Sequence, residues 1–124
     1  KRVIGVEIVA EAVENARENA ELNGIGNVEF YCADAGEFAA EFNEKVEVIV
    51  VDPPRKGCSA ETISAICRIA PEKVVMISCN PSTAARDCKM LEDKGFRAES
   101  VQGVDLFPRT RHVESVVLLT KVHN

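Results

Sequence analysis

Short apolar runs of strand length alternate with helical patterns along this 124-residue chain, and this alternation constrains the fold more than any other feature. The runs contain few charges, which is typical of strands in a parallel sheet buried on both faces. The predicted strands cover residues 3–7, 28–32, 46–51, 73–79, 98–104 and 113–121. We therefore expect an α/β fold.

Three helices are expected between these strands, each with apolar residues spaced three or four apart. The residues that mark their ends are Asn23-Gly24 for the first, Ser59 and Pro71 for the second, and Ser82 and Lys94-Gly95 for the third. The residues expected to face inward are Val9, Val13, Ala16 and Ala20, then Ile63, Ile66 and Cys67, and finally Ala84, Ala85, Cys88 and Leu91. A further helical turn is expected at 36–42.

The last two strands have no helix between them, only a loop at 105–112. A parallel pair would need a crossover connection, so we expect these two strands to be an antiparallel pair at one side of the sheet.

The composition limits the possible functions. No run approaches the ~20 apolar residues of a membrane span, and the start does not resemble a signal peptide, so a soluble, cytoplasmic protein without a membrane partner is expected. The net charge of −5 provides no overall attraction to RNA. A local basic patch or another domain would have to attract the RNA. The basic residues of such a patch are equally consistent with an ordinary solvated surface. The candidates are Arg55, Lys56, Arg109, Arg111 and His112.

Five cysteines with no Cys-x-x-Cys pair, and only two histidines, favour neither a disulfide framework nor a metal site in this chain. The first residue is not Met, and the chain enters an apolar run at once. We therefore expect a fragment of a longer protein, whose oligomeric state the sequence leaves open.

Polar or reactive residues follow four of the predicted strands: Glu7, Asp34, Asp52 and Cys79. In open α/β sheets, ligands bind at the carboxyl ends of the strands. Glu7 is placed to accept hydrogen bonds from a ribose diol, and Asp34 from an adenine amino group. The alternative is that these acidic residues only cap helices.

Cys79 stands where a strand meets a helix N-terminus, whose partial positive charge lowers the pKa of a thiol and favours the nucleophilic thiolate. Cys58, in a loop, is the rival reactive thiol. The remaining cysteines, Cys32, Cys67 and Cys88, are expected to be buried and inert.

Two loops complete the predicted site. Asp52 precedes two prolines that stiffen its loop, and Arg55 replaces the aromatic residue that amino-group methyltransferases carry after such prolines, which disfavours an amino target. Glu114 precedes an apolar run, so partial burial would raise its pKa towards that of a general base. His112 is either a second base or a phosphate contact.

Three motifs together resemble the bacterial RNA uracil-5-methyltransferase family. They are Asp52-Pro53-Pro54-Arg55-Lys56-Gly57, then Ser78-Cys79-Asn80-Pro81 with Thr83, Arg86 and Asp87, and then Phe107-Pro108 with Thr110 and His112-Val113-Glu114. The resemblance covers essentially the whole chain and implies a Rossmann-like class I methyltransferase sheet.

The resemblance also implies the roles of individual residues. Cys79 would be the nucleophile and Glu114 the base, while Asp52 would help to hold the uracil together with Arg55, Phe107 and His112. The implied cofactor is S-adenosylmethionine, with contacts from Glu7, Asp34 and Asp52, and the implied partner is ribosomal RNA, such as 23S rRNA, or transfer RNA.

The resemblance implies that residues 1–124 are the C-terminal part of the catalytic domain. The first strand with the glycine-rich cofactor loop, the RNA-binding domain and the iron–sulfur cluster of some members would lie upstream. The absent strand would lie between the strands that end at Glu7 and Asp52, so these either pair directly or leave a gap. We expect the chain alone to be inactive and to bind S-adenosylmethionine weakly or not at all.

Three alternatives remain open. An RNA cytosine-5-methyltransferase uses similar covalent chemistry, but a further cysteine usually follows its proline loop and none follows Pro54 directly. An inert RNA-binding or assembly module would keep the fold without catalysis. A cysteine hydrolase would pair Cys79 with His112, but no oxyanion motif supports it.

Overall fold

The computed structural model of the chain describes residues 1–123. In chain order, its elements are β1 (Val3–Glu7), α1 (Ala10–Leu22), β2 (Val28–Cys32), α2 (Ala35–Glu41), β3 (Val48–Val51), α3 (Ala60–Ile69), β4 (Lys73–Ser78), α4 (Pro81–Glu92), β5 (Phe96–Val104) and β6 (Glu114–Lys121). The predicted order of strands and helices is confirmed, and the predicted ends differ from the observed ones by only a few residues.

The chain divides into two compact units, residues 1–42 and residues from 43 onwards. In the first unit, β1 pairs in parallel with β2, with Val3 opposite Val28 and Glu7 opposite Cys32. Val13 of α1 is its one fully buried large side chain among the described residues. The hydrophobic core of this unit is therefore thin.

Helix α1 ends as its sequence predicts. Gly24 adopts a left-handed backbone with φ of 65°, and its N–H donates to the carbonyl of Glu21. The N–H of Ile25 donates to the carbonyl of Ala20 at 2.8 Å. These two bonds satisfy carbonyls that the end of a helix would otherwise leave unpaired.

The second unit contains a four-stranded sheet in the order β3-β4-β6-β5. β3 is parallel to β4, while β6 is antiparallel to both β4 and β5, so the expected antiparallel pair is confirmed. Apolar residues of α3 and α4 pack against one face of this sheet. The core residues are Ile63, Ile66, Val74, Met76, Ala84, Leu91, Phe96, Val117 and Leu119.

The prediction that the strands are buried on both faces is wrong within this unit. Alternate residues of β3 face solvent, with Val48 and Val50 48% and 62% exposed. The reason is that both packed helices, α3 and α4, contribute to a single core cluster. Direct pairing of the strands that end at Glu7 and before Asp52 is not observed, because β1 and β3 belong to different sheets.

One inward-facing residue of α4 was also predicted wrongly. Ala85 is exposed, whereas Asp87 is fully buried. The helical spacing places both positions near the edge of the apolar stripe, and the contacts of Asp87 described below explain why a charged residue takes the buried position. No helix within the described residues is both long enough and apolar enough to span a bilayer.

Candidate active site

Cys79 and Glu114 lie at the adjoining ends of two neighbouring strands. The antiparallel register of β4 and β6 pairs Ile77 with Val116 and Ser78 with Ser115. Continued by one residue, the same register sets Cys79 opposite Glu114. The two residues are therefore close to each other at the same end of β4 and β6. Both residues are half-buried, so each remains accessible.

A tight hydrogen-bonded bend presents Cys79 at the end of β4. The hydroxyl of Ser78 donates to the carbonyl of Asn80 at 3.0 Å and accepts from its N–H at 3.1 Å. The side-chain oxygen of Asn80 then accepts from the N–H of Ser82 and caps α4, whose first residue is Pro81. The bend therefore places the Cys79 backbone immediately before a helix N-terminus, as the sequence predicts.

The loop after β3 carries Asp52 and Arg55 and is attached to the start of α4. The carbonyl oxygen of Arg55 lies 3.1 Å from the side-chain nitrogen of Asn80 and 3.1 Å from the hydroxyl of Thr83. Asp52 is exposed, and the described residues provide no hydrogen bond to its carboxylate. Asn80, the residue next to Cys79, therefore also holds the loop that carries Asp52.

Three residues assigned to substrate binding lie together. The guanidinium of Arg55 is 3.3 Å from Nδ1 of His112 and acts as the donor, since arginine has no acceptor. The rings of Phe107 and His112 meet edge to face, with centroids 6.4 Å apart. All three residues are exposed. They form a surface with a cation, an imidazole and an aromatic ring.

A second hydroxyl holds the loop between β5 and β6. The hydroxyl of Thr110 donates to the carbonyl of Phe107 at 2.7 Å and accepts from the N–H of His112. Arg109 adopts a left-handed backbone with φ of 65°. Arg109 and Arg111 are both exposed and lie on the same loop as Phe107.

The five cysteines differ in how far they are buried. Cys67 and Cys88 are half-buried, and burial raises the pKa of each thiol. Cys32 is exposed, so its assignment to the buried class is wrong: it is the last residue of β2, where packing is thin. Burial, helped by the carboxylate of Asp87, raises the pKa of the rival thiol Cys58 to about 12. Cys58 is therefore a poor nucleophile near neutral pH.

In the first unit, the two residues assigned to the cofactor also have structural roles. One carboxylate oxygen of Glu7 accepts from the N–H of Val9 at 2.9 Å, and one of Asp34 accepts from the N–H of Glu37 at 3.0 Å, which caps α2. Both side chains are exposed, and in each a second oxygen has no hydrogen bond from the described residues. Each can still accept from a hydroxyl or amino group.

Asp87 belongs to a motif recognised in the sequence, but no role was predicted for it. Its carboxylate accepts from the N–H of Cys58 at 2.7 Å and from Arg86, whose guanidinium also donates to the carbonyl of Lys56. The sequence feature that could have indicated a role is the pair of charged residues, Arg86 and Asp87, at the border of an otherwise apolar helical stripe. Within residues 1–123, no cluster of three or more His, Cys, Asp or Glu could hold a metal ion.

Comparison with known proteins gives a consistent result. The model of the family described as tRNA (uracil-5-)-methyltransferase matches residues 1–122. Uncharacterized RNA methyltransferases of Oceanobacillus iheyensis and Caldanaerobacter subterraneus are 50% and 52% identical over 123 residues. These matches cover 97% of this chain but 27% of each relative, so the chain spans about a quarter of their length.

Two solved structures share the fold. The Pyrococcus abyssi tRNA (uracil-54, C5)-methyltransferase, in complex with S-adenosyl-L-homocysteine, is 37% identical, with a TM-score of 0.84 over 96% of this chain and 29% of that one. NSun6 from Pyrococcus horikoshii is 16% identical, with a TM-score of 0.79 over 99% of this chain and 42% of that one. The second likeness concerns the fold alone.

Proposed function

This chain belongs to the tRNA (uracil-5-)-methyltransferase family and has the class I methyltransferase fold, and we propose that it forms the C-terminal part of the catalytic domain of an S-adenosylmethionine-dependent RNA uracil-5-methyltransferase. The observation that carries the proposal is the strand register that sets Cys79 opposite Glu114. A nucleophile and a base at the adjoining ends of two adjacent strands can act on the same pyrimidine ring.

The proposed reaction uses these two residues in sequence. The thiolate of Cys79 forms a bond to carbon 6 of the uracil, which turns carbon 5 into an enolate-like nucleophile. S-adenosylmethionine, when bound, supplies the methyl group that carbon 5 takes. Glu114 then removes the proton from carbon 5, and the electron pair of that C–H bond re-forms the double bond between carbons 5 and 6. The Cys79 thiolate leaves, so the enzyme is restored and the product is 5-methyluracil.

The remaining residues bind and orient. Glu7 and Asp34 each have a carboxylate oxygen available to accept from the ribose and adenine groups of the cofactor. Asp52 would accept from the cofactor or from the uracil, since its carboxylate is exposed on the loop beside Cys79. Arg55, Phe107 and His112 form the surface on which the RNA would lie, with a cation for phosphate and a ring for stacking.

The RNA substrate is proposed to be a transfer or ribosomal RNA. The family description and the 37% identical structure both concern tRNA, which favours a tRNA uridine. No overall basic field supports binding, because the chain carries a net charge of −5. Its own contribution would therefore come from the local cations Arg55, Arg109 and Arg111.

Replacing the base separates the two chemical steps. In the full-length protein, Glu114→Gln should accumulate a covalent RNA adduct through Cys79, because addition and methylation proceed while proton removal stops. Gel electrophoresis and peptide mass spectrometry would detect the adduct. Cys79→Ala should form none and should lose turnover by more than about a thousandfold, whereas Cys32→Ala, at an exposed position in the first unit, should behave as wild type.

Turnover of Glu114→Gln at the native rate would exclude the proposed role of Glu114. RNA containing 5-fluorouridine distinguishes the remaining alternatives, because fluorine at carbon 5 cannot be removed as a proton. A stable adduct that requires the methyl donor supports the uracil reaction. An inert module or a hydrolase would give no adduct, and adduct formation only with 5-fluorocytidine would indicate a cytosine enzyme.

A further inference from the structure

The buried carboxylate of Asp87 has no part in the proposed chemistry and yet is fully removed from water, with 0% of its surface exposed. Burying a charge is costly unless the charge is paired and hydrogen-bonded. Here one carboxylate oxygen accepts from Nε and Nη2 of Arg86 at 2.9 and 2.7 Å, and the other accepts from the N–H of Cys58 at 2.7 Å. A well-packed apolar residue would avoid this cost, so the position serves something other than stability alone.

The partners of this pair indicate what it serves. Arg86 also donates to the carbonyl of Lys56 at 2.9 Å, so both charged residues reach the backbone of the loop between β3 and α3. Thr83 and Asn80, about one and two helical turns earlier, reach the carbonyl of Arg55 in the same loop. One polar side of α4, together with its N-cap Asn80, therefore holds Arg55, Lys56 and Cys58 of the loop that begins at Asp52.

Gly57 shows how closely the loop approaches α4. A Cβ atom built at this residue would overlap the guanidinium of Arg86 and lie 2.6 Å from Oδ2 of Asp87 and 3.1 Å from Cβ of Thr83. Its φ of +85° also disfavours any side chain. A side chain at residue 57 would therefore have to displace the Arg86 guanidinium and the Asp87 carboxylate, or the loop itself.

From these contacts we infer that Arg86 and Asp87 are positioning residues, which fix the loop bearing Asp52 and Arg55 relative to Cys79, the residue before the N-cap Asn80 of the same helix. The inference rests on the proposed function. Since Cys79 directly precedes α4, and the loop is fixed to that helix, the nucleophile and the uracil-binding groups move as one body. A small displacement of either would reduce the rate of methyl transfer more than the binding of RNA or cofactor.

Two variants disturb this arrangement in independent ways. Asp87→Asn keeps the shape but places an amide group against either the N–H of Cys58 or the guanidinium of Arg86, so one donor loses its acceptor. Gly57→Ala keeps every charged residue but places a methyl group against the Arg86 guanidinium and the Asp87 carboxylate, where the loop meets the helix. In the full-length protein, each should lower kcat and the rate of adduct formation with 5-fluorouridine RNA by about 10- to 100-fold, while cofactor affinity stays within about twofold. The double variant should be no worse than the poorer single variant, since both act on the same contact.

Matched controls separate positioning from loss of folding. Gly95→Ala introduces the same left-handed strain, with φ of +98°, where no atom lies within 4 Å of the added Cβ. Asp93→Asn removes a carboxylate from an exposed ion pair with Lys89 at the end of the same helix. Both should lower the melting temperature at most, and should leave kcat near that of wild type once corrected for the folded fraction.

The result that would overturn the inference is a kcat of Gly57→Ala and Asp87→Asn that falls only in proportion to the folded fraction, as in Gly95→Ala. If Asp87→Asn is insoluble, Arg86→Lys carries the test, because the Arg86 side chain is 50% exposed and its replacement keeps the charge but loses the planar fork. A wild-type kcat for that variant would equally reject the inference. If wild-type protein does not methylate uridine in RNA, the proposed function fails instead.

Discussion

The first unit holds Glu7 and Asp34 by single hydrogen bonds to nearby backbone, whereas the second unit holds Cys79 and Glu114 by a strand register that continues into its core. In the first unit, one large side chain is fully buried among the described residues, that of Val13. In the second, two helices and a four-stranded sheet share a continuous core. The residues proposed to bind the cofactor thus rest on local contacts, and those proposed to make and break bonds rest on tertiary packing.

The difference matches the demands of the two tasks. A carboxylate that accepts from a hydroxyl or amino group tolerates a shift of some tenths of an ångström, since hydrogen bonds form over a range of distances. Covalent addition and proton removal on one ring require tighter placement. Support from a packed core is therefore most useful at Cys79 and Glu114.

Thiol labelling gives the largest expected contrast between the two units. At pH 8 the thiol of Cys58, whose pKa burial raises to about 12, is almost entirely protonated, whereas the side chain of Cys32 is exposed to the reagent. Peptide mass spectrometry after brief iodoacetamide treatment should therefore show Cys32 of the first unit reacting about a thousandfold faster than Cys58.

The raised pKa of Cys58 also determines how the free energy of unfolding changes with pH. Folding favours the neutral Cys58 thiol, so the unfolded chain releases this proton first and the contribution of Cys58 to stability is lost as the pH rises from 9.0 to about 12. A Cys58→Ser variant should lack this decline. Equal labelling of Cys32 and Cys58 at pH 8 would contradict the buried environment of Cys58.

Core truncation tests whether the second unit depends more on packing. Leu91 is fully buried in the second unit, and Leu91→Ala should cost about 2–5 kcal/mol. Val13→Ala in the first unit removes two carbon atoms, one fewer than Leu91→Ala, and should cost about 2 kcal/mol. Native-state hydrogen exchange in the full-length protein, resolved by peptide, would measure both. Leu22→Ala, at a site 83% exposed, is the control, with less than about 0.5 kcal/mol expected.

The proposed difference between the units would be wrong if Val13→Ala lowered protection from hydrogen exchange in the first unit as much as Leu91→Ala lowers it in the second. That result would mean that the first unit depends on a buried core as strongly as the second does, despite its single fully buried side chain.

The smallest expected effect concerns the cofactor. Glu7→Gln keeps an oxygen that can accept from the N–H of Val9 but removes the charge, so the affinity for S-adenosylmethionine should fall about tenfold. At saturating cofactor, kcat should stay near that of wild type, because the second unit is unchanged. Titration calorimetry and steady-state kinetics would separate the two effects, with Glu18→Gln, on the exposed side of α1, as the control.

Sequence patterns predicted the elements well because local signals agreed with the tertiary structure. Gly24 ends α1 and Ser59 caps α3, where its hydroxyl accepts from the N–H of Thr62, as their residue types require. The order of strands and helices followed from the apolar runs. These features depend on neighbours within a few residues, which a sequence displays directly.

The predictions of burial were wrong where contacts between residues distant in sequence determine whether a side chain is buried. The exposure of Val50 depends on which face of the sheet the helices cover, and the exposure of Cys32 depends on how much packs near the end of β2. Asp87 is buried because it meets the N–H of Cys58, 29 residues away in sequence. The proximity of Cys79 and Glu114 likewise needed the strand register, which the motifs alone do not specify.

Six residue pairs align β6 with β4, from Lys73 with Thr120 to Ser78 with Ser115. None of them lies in the loop at 105–113, so insertions, deletions or exchanges in that loop leave the carboxylate of Glu114 where it is. The loop that carries Phe107 and His112 can consequently change in length and sequence without altering the pairing that supports Glu114. Selection can therefore act on the two parts separately.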